Sequence, residues 1–480
     1  MELPFDIPEL VFVGLPRRRF APQIIFRGPP PLRSKCLTRR LATAKRFSDR
    51  KNALSTPSNH RLATSLALMA QAKERDSVDP LGWAAEEFVL PESVVYLDGN
   101  SLGALPKAAR DAVIRVTELE WGQSLIRSWN AHGWFDKPVV VGEKLAPLIG
   151  AAPGQVLIGD SISINVFKVI HAAMDMQPNR TVVLADATSF PSDLYVAQSA
   201  VDQQNGREFV VARNVDDVVQ RLNAADADNI AAILINHIDF RSGRVHDMAS
   251  LTALAQSKGV LTIWDLSHSA GAIPVHLDTA NADFAIGCTY KYLNGGPGAP
   301  GFIYVATRHQ QGAKQPLTGW WGHAAPFAFD NTYTPAQGIT RFSTGTQPMV
   351  SFAALEASLD LWARVDMAGL RTKSLSLTDS FIEAVAALDA TQTLRMGTPT
   401  KHSERGSHVI FHHENGYPIM QALVAEGVIG DFREPDVLRF GFAPLYNSHT
   451  DAFVAAAALC RIVADRSWDQ PQFTNRRPVT

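Results

Sequence analysis

The sequence predicts an α/β protein: a large domain with a mostly parallel central sheet covered by helices on both faces, then a smaller α+β domain. Three observations carry this prediction. Short apolar runs such as 230–235 do not alternate with polar residues, as in strands buried on both faces. These runs alternate with longer amphipathic stretches over about 200 residues. Beyond residue 390 the pattern changes to two short strands and two helices, which indicates a separate packing unit.

Taken in order, residues 1–68 stand apart by charge. They hold 13 Lys+Arg against 4 Asp+Glu, whereas the remaining 412 residues hold 32 against 43. Arg17-Arg18-Arg19, Pro29-Pro30-Pro31 and Arg39-Arg40 interrupt any amphipathic period. The segment reads as a basic, disordered leader outside the fold. Its Arg-rich, acid-poor composition suits a transit peptide or, in the preferred reading, a tail added by an upstream start ahead of Met69. Helix-compatible sequence begins at Met69, and 69–105 is assigned to the small domain. Residues 106–349 form the large domain, with helices near 106–121, 162–175, 191–202, 215–223 and 247–258. Its strands are 181–185, 209–212, 230–235, 260–264 and 302–305, with a further short apolar run at 284–287. One long or broken helix over 350–390 leads into the C-terminal small domain, 350–470. There, 408–412 and 437–442 read as strands, and 417–427 and 449–466 as helices. Residues 471–480 are a tail.

Composition narrows the function classes. At 46% hydrophobic residues the chain has ample material for a core, so disorder is excluded for most of it. A net charge of −2 gives no general attraction to nucleic acid or acidic membranes. No apolar run approaches the roughly 20 residues that span a bilayer. Cys36, Cys288 and Cys460 form no CxxC pair, which argues against a disulfide framework or structural zinc. A soluble, cytoplasmic protein without a metal site is expected.

The chemistry concentrates in Thr262–His268 and the stretch Cys288-Thr-Tyr290-Lys291-Tyr292-Leu-Asn-Gly295-Gly296-Pro-Gly298. Asp265 ends one buried strand and Lys291 follows another apolar run. Ligands of open α/β sheets bind outside the carboxyl ends of strands, so both side chains would face one crevice. A carboxylate and a lysine there suggest pyridoxal 5′-phosphate. Lysine condenses with its aldehyde, and the carboxylate keeps the pyridine nitrogen protonated so that the ring accepts electrons. An ordinary salt bridge would explain this pair alone. His268 would stack on the ring or hold the carboxylate, and the glycines after Lys291 permit close backbone approach. Ser161 opens a helix at Ile162, whose free N–H groups favour a phosphate; a plain Ser N-cap is the simpler reading of that residue alone.

Together these residues resemble the kynureninases, enzymes of the fold-type I pyridoxal-phosphate class. The resemblance covers roughly residues 85–465. It rests on Tyr96-Leu-Asp-Gly-Asn100-Ser101-Leu102-Gly103, Phe190-Pro191-Ser192-Asp193, Trp264-Asp265-Leu-Ser-His268 and Tyr290-Lys291-Tyr292-Leu293-Asn294. Gly319-Trp320-Trp321-Gly322-His323, Phe342-Ser-Thr-Gly345-Thr346-Gln347-Pro348 and Leu438-Arg439-Phe440-Gly441 continue it. No motif is decisive alone; their shared order and spacing are. A start near Met69 would also give a length typical of bacterial members.

The resemblance implies hydrolysis of L-kynurenine, or 3-hydroxykynurenine, to anthranilate or 3-hydroxyanthranilate and L-alanine, in tryptophan catabolism. Lys291 would hold the cofactor and remove the Cα proton. Asp265 would pair with the pyridinium nitrogen, with His268 beside it. Phe190 would stack on the ring within the cofactor-lining segment Phe190, Pro191, Ser192 and Asp193. Ile162, Ser163, Tyr290 and Trp320 would meet the phosphate, and Tyr290 would carry a proton. Thr346 would come from a neighbouring subunit, implying a homodimer. Arg439 would fork onto the substrate α-carboxylate. Asn236 departs from the family's Ser or Thr, although an amide also hydrogen-bonds.

Two other functions are known for this kind of fold. A cysteine desulfurase or selenocysteine lyase of this fold needs a mobile nucleophilic cysteine, and none of the three fits. A non-catalytic regulator with the same fold needs a DNA-binding module, and the basic leader has no readable helix-turn-helix.

Overall fold

Strands that are apolar throughout need cover on both faces, and the chain supplies it. The computed structural model describes residues 59–476; most of the basic leader and the last four residues of the tail lie outside them. Seven strands form the main sheet: β1 (Val156–Ile158), β2 (Val182–Asp186), β3 (Glu208–Ala212), β4 (Ile230–Asn236), β5 (Leu261–Asp265), β6 (Phe284–Gly287) and β7 (Phe302–Val305). Their order is β1-β7-β6-β5-β4-β2-β3. Only β7 runs against its neighbours. Every residue of β4, β5, β6 and β7 is buried, whereas edge strand β3 is partly open. That accounts for the missing alternation: neither face of the central strands meets water. β1 escapes the sequence reading because three residues are too few to show a period.

A second sheet, antiparallel throughout, contains β8 (Arg395–Met396), β9 (His408–His412), β10 (Asp431–Arg433) and β11 (Val437–Gly441), in the order β8-β9-β11-β10. Its core gathers Phe381, Phe411, Phe440 and Phe442, with the Phe381 and Phe440 ring centroids 4.9 Å apart. The N-terminal segment joins this side of the molecule, where Val95–Tyr96 pairs in parallel with Val428–Ile429.

Two helical boundaries differ from expectation. Helix α1 (Asn59–Ser77) starts ten residues before Met69. Leu62 and Leu66 are exposed, and apolar packing begins only at Leu68 and Met69, so the first turns carry no periodic signal. The 350–390 helix is broken into α4 (Met349–Trp362) and α5 (Met367–Leu388). The Asp366 carboxylate caps the second piece by accepting from Ala368 and Gly369 N–H at 3.2 and 2.9 Å. (Helices α2, α3 and α6 are Ile162–Met176, Pro191–Asp202 and His449–Asp465.) Among the described residues, no helix is long and apolar enough to cross a membrane, and no cluster of His, Cys, Asp or Glu is arranged to hold a metal.

Candidate active site

The carboxyl ends of the parallel strands open onto one crevice. Asn236 closes β4 and Asp265 closes β5, in register with each other. The loop from β6 to the reversed β7 carries Tyr290 and Lys291. From β1 the chain passes through Asp160, in a left-handed conformation (φ 51°), to Ser161, whose hydroxyl accepts from Ile164 N–H at 3.4 Å and caps α2. Asp160 is steadied by buried Lys168, whose Nζ lies 2.5 Å from it and donates to the Phe342 carbonyl at 2.6 Å. Gly301 runs alongside, and a Cβ there would come within 3.0 Å of Ile162 N, so only glycine leaves this helix end room.

These elements surround a cavity of about 470 Å³. Of the sequence-predicted residues, Ile162, Ser163, Phe190, Ser192, Asp193, Asn236, Asp265, His268, Tyr290, Lys291 and Arg439 line it. Lys291 Nζ lies 5.8 Å from the centre of the Phe190 ring. The lysine loop is pinned from outside: Gly103 N–H donates to Tyr290 O at 2.8 Å, and Asn294 Nδ2 donates to Ala104 O at 3.0 Å. A Cβ at Gly103 would sit 2.2 Å from Lys291 O, which explains the glycine that ends the 96–103 motif.

Three predicted residues are not brought to this cavity. Pro191 is the first residue of α3, where its fixed φ starts the helix and its missing N–H costs nothing. Trp320 is 40% exposed; its indole N–H donates to Pro326 O at 2.5 Å, and its ring packs with Phe135, Trp321, Phe327 and Phe329. Thr346 lies on the exposed surface.

Electrostatics divide the lining groups by role. Burial, with the charge of nearby Asp265, raises the Asp193 carboxyl well above the usual carboxylate range. Burial, with the charge on Lys291, holds His268 neutral. The Cys288 sulfur and burial push the Tyr290 phenol up, so it keeps its proton at neutral pH. Asp265 accepts from Ser267 N–H at 2.8 Å. Asp193 Oδ2, Asn236 Oδ1 and His268 Nδ1 are buried without a partner. Unpaired buried polar atoms are costly, so this grouping fits a polar ligand that supplies the missing partners. A carboxylate-bearing, aromatic-faced pocket ending at a helix N-terminus fits a pyridinium ring with a phosphate arm.

Arg439 differs from its expected state. It is 2% exposed, and its guanidinium forks onto Asp431 through Nε (2.7 Å) and Nη2. Nη1 donates to Phe240 O at 2.6 Å and Nη2 to Ser101 Oγ at 3.0 Å. The sequence reading missed Asp431, Arg433 and Phe240. The first two stand on β10, three residues long, and Phe240 is in the loop after β4. Asn100 and Ser101, quoted only as part of a motif, also line the cavity.

The buried histidines predict acid sensitivity. Burial pushes His237 down to about 3, and its ring meets Trp264 edge-on. The folded chain therefore binds this proton later than the unfolded one. Its contribution is complete above about pH 6.5 and declines as pH falls towards 3. His237→Phe is expected to flatten the stability slope below pH 6.5 by up to about 1.4 kcal/mol per pH unit. Urea unfolding at stepped pH measures this, and an unaltered slope would refute it.

Three solved structures share the architecture at low identity. A cysteine desulfurase from Thermococcus onnurineus NA1 matches with TM-score 0.67 at 17% identity, over 80% of this chain and 98% of its own. The Escherichia coli desulfurase CsdA gives 0.66 at 18%, over 81% and 99%. The cystine C–S lyase C-DES gives 0.64 at 16%, over 77% and 98%. What they share with this chain is the fold-type I α/β architecture. Residues 370–459 match the family model described as the kynureninase C-terminal domain. A kynureninase of Burkholderia pseudomallei (strain 1106a) is 49% identical over 415 residues, covering 86% of this chain and 99% of the relative. That of Pseudomonas fluorescens is 48% identical over 419 residues, covering 86% and 98%. The chain belongs to the kynureninase family.

Proposed function

We propose that the protein hydrolyses L-kynurenine to anthranilate and L-alanine, and 3-hydroxykynurenine correspondingly, as a step of tryptophan catabolism. The observation that carries this reading is the meeting of Lys291, Asp265, Tyr290 and Arg439 in one cavity of a chain with this kinship. Pyridoxal phosphate, when bound, supplies an electron sink for charge developing on the substrate.

The chain's own groups do the rest. Lys291 Nζ holds the cofactor at rest, then takes the Cα proton and returns it. Asp265 keeps the proton on the ring nitrogen, with His268 beside it. Phe190 covers one ring face, and Ile162 and Ser163 at the start of α2 receive the phosphate. Ser192, Asp193 and Asn236 complete the cofactor's polar contacts. Water adds at the Cγ carbonyl, the Cβ–Cγ bond breaks to release anthranilate, and Tyr290, protonated at neutral pH, then delivers a proton to Cβ. Arg439, also in the cavity wall, holds the α-carboxylate.

The exposed aromatic face of Trp320, Phe327 and Phe329, with exposed Thr346, supports a homodimer in which Trp320 and Thr346 reach the neighbour's cofactor site. Residues 106–349 serve as the cofactor domain and 350–470, with 69–105, as the small domain. A cytoplasmic setting suits the family.

Cys288 argues against the desulfurase alternative: it is buried in the cavity wall, and burial pushes its thiol up rather than activating it. Purified holoenzyme is expected to release fluorescent anthranilate from L-kynurenine and no sulfide from L-cysteine. The opposite pair of results would refute the reading.

A further inference from the structure

We propose that Arg433 is a second anchor for the substrate α-carboxylate beside Arg439, with Asp431 holding the two guanidiniums in register. This rests on the substrate class assigned above.

A guanidinium has five N–H groups. In Arg439, Nε and one Nη2 hydrogen go to Asp431, the other Nη2 hydrogen to Ser101, and one Nη1 hydrogen to the Phe240 carbonyl. One remains, so Arg439 has no free parallel pair with which to grip a carboxylate two-handed. Arg433 is differently placed. It also lines the cavity, yet its side chain is 36% exposed. Its Nη2 donates to Asp431 at 2.6 Å and to Ser101 Oγ at 3.4 Å. Its Nε is buried without a partner.

Charge leads to the same residue. Burial opposes ionisation of Asp431, but Arg439 and Arg433 override it and hold that carboxyl at about 2. Asp98, the other carboxyl beside them, is pushed up to about 7 by burial and by the charge of Asp431. Near neutral pH the two guanidiniums therefore face one full negative charge and one partial one. The excess positive charge lies on the cavity side, where Arg433 is the more open of the pair. A ligand carboxylate would neutralise it and satisfy the orphaned Nε.

The test compares wild type and Arg433→Gln holoenzyme. KM for L-kynurenine is expected to rise roughly tenfold to a hundredfold, the cost of a lost hydrogen bond between charged groups. Because the carboxylate is held throughout turnover, kcat should change much less. Binding of L-alanine and of L-alaninamide, followed by cofactor absorbance, isolates the carboxylate. The variant should lose affinity for alanine by the same factor and keep its affinity for the amide. Unchanged alanine binding, or equal losses for both ligands, would overturn the proposal. Should Arg433→Gln fail to fold, Arg433→Lys keeps a charge on Asp431 but loses the planar fork. It is expected to favour alanine over alaninamide less than wild type does, and an undiminished preference would overturn the proposal. If wild type releases no anthranilate, the kynurenine assignment fails, while the alanine and alaninamide comparison still reports on the anchor.

Discussion

Lys291→Ala is expected to abolish turnover, with kcat falling by at least roughly 10⁴-fold, the upper range for loss of a general base alone. The lysine is proposed to serve twice, as the covalent tether and as the Cα base. The other nearby candidates are unsuited to replace it: the Tyr290 phenol keeps its proton, and burial makes the His268 ring a poor proton acceptor. Folding should survive, because the loop is pinned through main-chain contacts with Gly103 and the Asn294 amide, independent of the lysine side chain. Circular dichroism checks the fold, and borohydride reduction checks the tether. A variant that still becomes covalently labelled with cofactor would place the tether on another residue.

Arg439→Leu is expected to damage both stability and binding. Removing one partner of a buried ion pair leaves the other charge uncompensated, at a typical cost of about 3–5 kcal/mol. The lower end, about 3 kcal/mol, is expected because Arg433 still faces Asp431. The Phe240 carbonyl and Ser101 hydroxyl would lose donors as well. KM for L-kynurenine should rise by roughly a hundredfold or more, since a buried cation beside the carboxylate site disappears. Urea unfolding and steady-state kinetics read the two effects separately. Full stability with a raised KM would show that Asp431 tolerates the loss, and that Arg439 matters for substrate alone.

Much of the cavity lining is legible in the sequence because its residues sit at predictable ends of recognisable elements. Asp265 closes a largely apolar strand, Ser161 caps a periodic helix, and Lys291 follows the apolar run of β6. Each signal is local. The surroundings of Arg439 are less legible. Its motif singles Arg439 out, but not its partners: Asp431 and Arg433 belong to a strand of three residues, and Ser101 and Phe240 are more than 190 positions away in the chain. Likewise, the break between α4 and α5 depends on one aspartate whose capping role is invisible in a continuous helical pattern.

The sequence by itself determined which segments are strands buried on both faces, which are helices, and which residue types stand at the sheet's carboxyl ends. Periodicity encodes how each element faces the core, and that information is local. Only the tertiary structure decided which charges meet: that Asp431 occupies the Arg439 fork, that Arg433 keeps an unpaired Nε, and that Trp320 and Thr346 stay outside the cavity of their own chain. Pairing depends on distances between elements remote in sequence, and hydrogen bonds and ion pairs act only over a few ångströms, so no local pattern contains them.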